Sequence, residues 1–207
     1  MLASLEPAFL FLRLSVAFTL GAVPFAWLIV RLLKGVDVRT VGSGNVGATN
    51  ASRAFEGKRT QIAVFVLVYL LDAAKGYLAV SIGFATGSLL AAVLCAAAAI
   101  LGHVFTPMLG GRGGKGVATA TGALLRLDPR ITLIAIGVFF IVRFATRQVF
   151  FGSLALGLGL AVAAIVVDPA NAFAGRLPLT LLCIGIAAFL FWTHRSNLQS
   201  FFATRQA

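Results

Sequence analysis

An all-α integral membrane protein with about seven spanning helices, some short or broken, is the fold class that this sequence predicts. Two observations predict it. Hydrophobic residues make up 60% of the 207 residues and charged residues only 11%, whereas soluble domains carry about 25% charged residues. The charges also collect in short stretches between long apolar runs. No stretch is left polar enough for a soluble domain, so residues 1–207 read as a single polytopic domain.

The elements follow in order. A first apolar run covers Ala8–Leu33; Glu6 and Pro7 precede it and no cleavage site follows, so it reads as a retained span rather than a signal peptide. Further apolar segments run Gln61–Phe84, Ser88–Met108, Val117–Leu127, Ile131–Ala145, Phe151–Val167 and Leu177–Trp192. A spanning helix needs about 20 residues. Val117–Leu127 and Ile131–Ala145 fall short of that, as tilted or half-helices shielded by protein would. Small residues such as Ala96–Ala99, Gly157 and Gly159 suit close helix contact. Cys95 and Cys183 stand alone in apolar runs and read as packing residues. No Cys/His cluster has zinc-ligand spacing, and no metal or cofactor is expected.

Charge sets the expected orientation. The formal net charge is +11. In a soluble protein that would point to nucleic acid; in short loops it points to orientation and anionic ligands, so no nucleic-acid partner is expected. Lys34, Arg39, Arg53, Lys58, Arg59, Arg112, Lys115, Arg147, Arg195 and Arg205 fall on one side of the spans. Arg130 and Arg176 fall on the other, with Arg126 at a boundary. The positive-inside rule then places the N-terminus outside and the C-terminus in the cytoplasm. Trp27 and Trp192 fall toward the cytoplasmic side, as interfacial anchors would.

Polar groups gather on that same side. Gly110-Gly-Arg-Gly-Gly-Lys-Gly116 combines Arg112 and Lys115 with Gly113, Gly114 and Gly116, whose backbone lets an anion approach closely. Ser43-Gly-Asn-Val-Gly-Ala-Thr-Asn50 adds Ser43, Asn45, Thr49 and Asn50, followed by Arg53. Thr146–Ser153 adds Arg147 and Ser153, and the tail adds His194 and Asn197, which i, i+3 spacing puts on one helical face. Each has a plainer reading: Arg147 as a topology determinant, Ser153 bonded to its own helix, His194 as an interfacial histidine, and both glycine stretches as flexible loops. Asp72 and Lys75 lie inside an apolar segment, where ionisable groups are costly and usually paired. They read either as a structural pair or as residues that position the site.

Together these motifs resemble those of the bacterial acyl-phosphate:glycerol-3-phosphate acyltransferases. Ser43–Asn50 with Arg53 is similar to the family's first motif. Gly113-Gly-Lys-Gly-Val-Ala-Thr119, preceded by Gly102-His103 and Pro107, is similar to the second, and His194-Arg-Ser-Asn-Leu198 to the start of the third. Asp72-Ala-Ala-Lys-Gly76 resembles the family's Asp-x-x-Lys-Gly element. The chain departs at Val46, where the family usually has proline, and at Phe150, where it often has serine, leaving Ser153 as the match.

The resemblance implies acyl transfer from acyl phosphate to the sn-1 hydroxyl of glycerol 3-phosphate, giving lysophosphatidic acid and phosphate at the cytoplasmic side of a bacterial inner membrane. Lys115 would stabilise the leaving phosphate together with the loop amides. Arg53 would grip the glycerol phosphate, and Ser43, Thr49 and Ser153 would orient phosphate or hydroxyl groups. His194 and Asn197 would position the acceptor. The base is either His194 or the departing phosphate. The expected partners are these two substrates and membrane lipid, and the expected state is a monomer or a weak oligomer. The rival classes are a transporter of small phosphorylated anions, which intramembrane Asp72 and Lys75 would suit, and a non-catalytic lipid-binding scaffold.

Overall fold

The computed structural model describes residues 7–203; Glu6 and Arg205, invoked above, lie outside the described residues. Among the described residues the regular elements are helices. The chain falls into two compact units, one running to Arg126 and the other starting at Leu127.

In the first unit, α1 (Pro7–Ala22) and α2 (Phe25–Lys34) share one apolar run but are separate helices. Pro24 causes the break, because it has no N–H and its ring clashes with the preceding turn. Helix α2 stops at Gly35, in the left-handed region at φ 70°. A 3₁₀ turn and α3 (Ala48–Ser52) form the first polar loop. The 27-residue α4 (Lys58–Phe84) and α5 (Leu89–Val104) follow. The Ser88 hydroxyl starts α5 by accepting the Ala91 N–H at 3.3 Å. Helix α6 (Val117–Leu127) has 11 residues, or about 16 Å of rise, well short of the apolar core of a bilayer.

Missing side chains set the packing of this unit. A Cβ on Gly21 would strike the Ala99 backbone, and one on Gly102 the Phe18 carbonyl, so α1 and α5 touch backbone to backbone. Gly76 and Gly122 do the same for α4 and α6, against Thr119 and Ala73. At the far end of α6 the Arg126 guanidinium bonds Ser81 at 3.2 Å and lies 4.9 Å from the centre of the Phe84 ring.

The second unit comprises α7 (Pro129–Thr146), α8 (Val149–Val166), the single turn α9 (Pro169–Ala172), α10 (Leu177–Thr193) and α11 (Arg195–Ala203). Gly159 faces Ala135 and Gly157 faces Ala187, letting α7 and α10 close on α8. Asp128 caps α7 through the Arg130 N–H at 2.9 Å and also receives Arg176 at 2.5 Å. Burial pushes the Asp128 carboxyl up, but bonds from Arg130 and the Ile131 N–H outweigh it and hold the group below its usual range.

Five helical stretches are long and apolar enough to cross a membrane, and a sixth counts if α10 and α11, bent by 46°, form one broken span. Helix α6 supplies the remaining apolar segment as a short helix. Ile131–Ala145, short by sequence, extends to 18 residues as α7 because Asp128 caps it and Pro129 starts it.

Candidate functional site

The first polar loop is organised by Asn50, which is 2% exposed. Its amide nitrogen donates to the carbonyls of Val38 and Val41, both at 2.9 Å. Its amide oxygen accepts the Ser43 N–H at 2.9 Å and the Ser43 hydroxyl at 3.3 Å. Both ends of the side chain are therefore occupied within the loop. The expected role of Asn50 as a ligand residue becomes one of holding the loop. Gly42 has φ +49°, and the Arg53 side chain passes over the space its missing Cβ leaves. Ser43 and Arg53 are exposed, while Asn45 and Thr49 are half-buried.

The second polar loop leaves the C-terminus of α5 and folds back on it. Gly111 donates its N–H to Thr106, Gly113 to Val104 and Gly114 to His103, at 2.9, 2.9 and 3.1 Å. Last-turn carbonyls lack helical partners, and the loop amides supply some. This corrects one expectation: the Gly113 and Gly114 amides point into α5 and are not available to cradle a phosphate. Their glycines are needed for closeness, since a Cβ on Gly113 would strike the His103 carbonyl. The φ of Gly116 is +85°, which turns the chain into α6. The first turn of α6, whose amides have no partner within the helix, follows two residues after Lys115.

The two loops meet at Gly114. A Cβ there would lie 2.6 Å from the Val46 carbonyl oxygen and strike the His103 ring. The first and second motifs therefore sit at one end of this unit. Lys115 beside this junction is half-buried, and burial lowers its ammonium from 10.5 to about 8. Arg112 is exposed.

Below the junction lies a polar cluster. Lys75 Nζ is 2.7 Å from Asp72 Oδ1 and donates to the Val23 carbonyl at 2.9 Å. His103 Nδ1 is 3.5 Å from the same Asp72 oxygen. Thr106 donates to the Ala22 carbonyl at 2.6 Å. Ala22 and Val23 flank the proline break, so Thr106 and Lys75 satisfy carbonyls that the break releases.

The second unit holds the remaining expected residues. Arg147 is the αL cap of α7 at φ 58°, the only non-glycine with positive φ among the described residues. The Ser153 hydroxyl donates to the Val149 carbonyl at 3.2 Å, so its donor is used within its own helix. His194 is buried and caps α10; it lies before α11, with Asn197 in the first turn of that helix. The Leu198 N–H donates to the His194 carbonyl at 3.1 Å, so His194 enters the first turn of α11, the turn that carries Asn197. His194 Nδ1 is 2.9 Å from the Leu190 carbonyl. A carbonyl only accepts, so Nδ1 carries a proton in that contact. Phe201 packs edge-on against Phe151 at 5.0 Å, bringing α11 to the start of α8 near Ser153.

Apolar helices of spanning length, joined by basic, glycine-rich loops, define a multi-pass membrane protein. A model of the family described as glycerol-3-phosphate acyltransferase matches residues 11–204. A glycerol-3-phosphate acyltransferase of Syntrophomonas wolfei is 37% identical over 188 residues, covering 90% of each chain. The crystal structure of PlsY (YgiH), an integral membrane glycerol 3-phosphate acyltransferase, in its glycerol 3-phosphate form superposes with a TM-score of 0.84 at 30% identity. It covers 95% of this chain and 93% of that one. Its lysophosphatidic acid form gives 0.81 at 28% identity, with the same coverage. The class is thus an integral membrane acyltransferase. The chain belongs to the glycerol-3-phosphate acyltransferase family.

Sequence reasoning passed over two features of this site. One is His103, which the sequence shows only as part of a motif, because its place between Asp72 and Gly114 depends on α4 packing against α5. The other is the inward turn of Asn50, because an asparagine in a glycine-rich loop carries no mark of where its amide points.

Proposed function

We propose that this chain transfers a fatty acyl group from acyl phosphate to the sn-1 hydroxyl of glycerol 3-phosphate, releasing lysophosphatidic acid and phosphate. The observation that carries the reading is the meeting of the two polar loops at Gly114, which gathers Lys115 and Arg53 at one end of the first unit. The likeness to a protein solved with glycerol 3-phosphate and with lysophosphatidic acid supports it.

Lys115 stabilises the charge that builds on the departing phosphate. Arg53 grips the glycerol phosphate with its two-pronged guanidinium. Ser43 and Thr49 orient phosphate oxygens at the rim, with Asn45 and Arg112. In the second unit, His194 and Asn197 position the acceptor, Ser153 orients a hydroxyl and Arg147 offers a further charge to an anion. Acyl phosphate is already an activated anhydride, so no covalent enzyme intermediate is required. The glycerol hydroxyl attacks the acyl carbon, the bond to phosphate oxygen breaks, and the hydroxyl proton passes to the phosphate or to His194 Nε2. The basic loops face the cytoplasm of a bacterial inner membrane.

The test supplies purified protein in detergent with acyl phosphate and labelled glycerol 3-phosphate. Labelled lysophosphatidic acid and stoichiometric phosphate are expected. Failure to form either, with folded protein, rejects the reading.

A further inference from the structure

The buried cluster under the Lys115 loop has no role in the transfer as written, yet it touches the loop directly. His103 lies in the last turn of α5 and is held at two places. Its Nδ1 faces Asp72 at 3.5 Å, and Asp72 is itself paired with Lys75. Its ring edge occupies the space where a Cβ of Gly114 would stand, and its carbonyl accepts the Gly114 N–H at 3.1 Å. Asp72 and Lys75 are each 2% exposed and His103 7%. Such a group of ionisable side chains is costly in an apolar interior unless it does something.

The cluster also reaches the proline break. Lys75 ties α4 to the Val23 carbonyl. One set of contacts therefore joins the break between α1 and α2, the middle of α4, the end of α5 and the residue preceding Lys115. A side chain whose backbone neighbour is fixed on both sides has less freedom to lose when it meets its anion.

We propose that Asp72 and His103 are positioning residues for Lys115: Asp72 fixes the His103 imidazole, and that ring fixes Gly114 and with it the backbone from which Lys115 reaches the phosphate. This rests on the function proposed above. Lys75 neutralises Asp72 and anchors the pair to Val23. None of the three touches the reacting atoms.

The test is a double-mutant cycle between His103→Asn and Lys115→Ala. Asparagine keeps a donor toward Asp72 but removes the ring edge from Gly114. His103→Asn is expected to lower kcat by about 10²-fold. Combined with Lys115→Ala it should add little to the loss from Lys115→Ala alone, because both act through one group. Two independent, multiplying losses would overturn the proposal, as would a His103→Asn enzyme with normal kcat.

A second readout does not need turnover. Labelling of Lys115 by an amine-reactive reagent, followed by mass spectrometry of that peptide, should change several-fold in rate in His103→Asn while labelling of Lys58 stays constant. An unchanged Lys115 rate overturns the positioning role even if acyl transfer itself is absent. If His103→Asn does not fold, Asp72→Asn with Lys75→Gln removes the anchor without leaving a lone buried charge. The same shift in Lys115 labelling is then expected, and its absence has the same meaning.

Discussion

Replacing Gly114 with alanine should separate the two polar loops without touching any charged residue. The added Cβ would stand 2.6 Å from the Val46 carbonyl oxygen. That is about 0.8 Å inside the 3.4 Å at which ordinary contact begins. On its other contact it strikes the His103 ring. Neither obstacle is a flexible tip, since one is backbone and the other is held toward Asp72. The loops must therefore part by most of an ångström, at a cost of about 1–3 kcal/mol for overpacking. A displacement of about 1 Å near reacting groups costs about 10²-fold in rate. Thermal inactivation and steady-state acyl transfer in detergent read the two effects. Gly185→Ala is the control, because nothing lies within 4 Å of its Cβ and it sits inside α10. It should keep full activity and equal or slightly higher stability. Normal stability and normal kcat in Gly114→Ala would refute the claim that the loops are locked together there.

Four further outcomes are expected. Lys115 titrates near 8, so it is charged below that pH and neutral above it; kcat/KM should fall as pH rises through about 8, and a profile flat through that region would remove Lys115 from the anion site. Arg53→Lys keeps the charge but loses the fork, so the apparent affinity for glycerol 3-phosphate should fall more than that for acyl phosphate; varying each substrate in turn checks it. Arg147→Gly relieves the strain of a left-handed cap and should raise stability by about 1 kcal/mol, while activity drops if the guanidinium binds substrate; lower stability would contradict the strain. His194→Asn should weaken acceptor binding yet keep a pH limb set by phosphate ionisation if the leaving phosphate takes the proton; normal binding with no turnover at any pH would make His194 Nε2 the base.

The amino-acid sequence determined the membrane class, the order of the apolar segments and the two basic loops. These depend on local composition and on spacing that any chain carries openly. It also marked Asp72 and Lys75 as a pair, because three residues separate them on one helix. The tertiary structure alone decided where hydrogen bonds between distant residues go. It turned Asn50 inward to the Val38 and Val41 carbonyls, spent the Gly113 and Gly114 amides on the end of α5, and set His103 against Asp72. Asp72 and His103 are brought together by the packing of α4 on α5, which requires Gly83 to meet the Ala92 backbone. A sequence shows that a glycine lacks a side chain; only packing shows which neighbour fills that space.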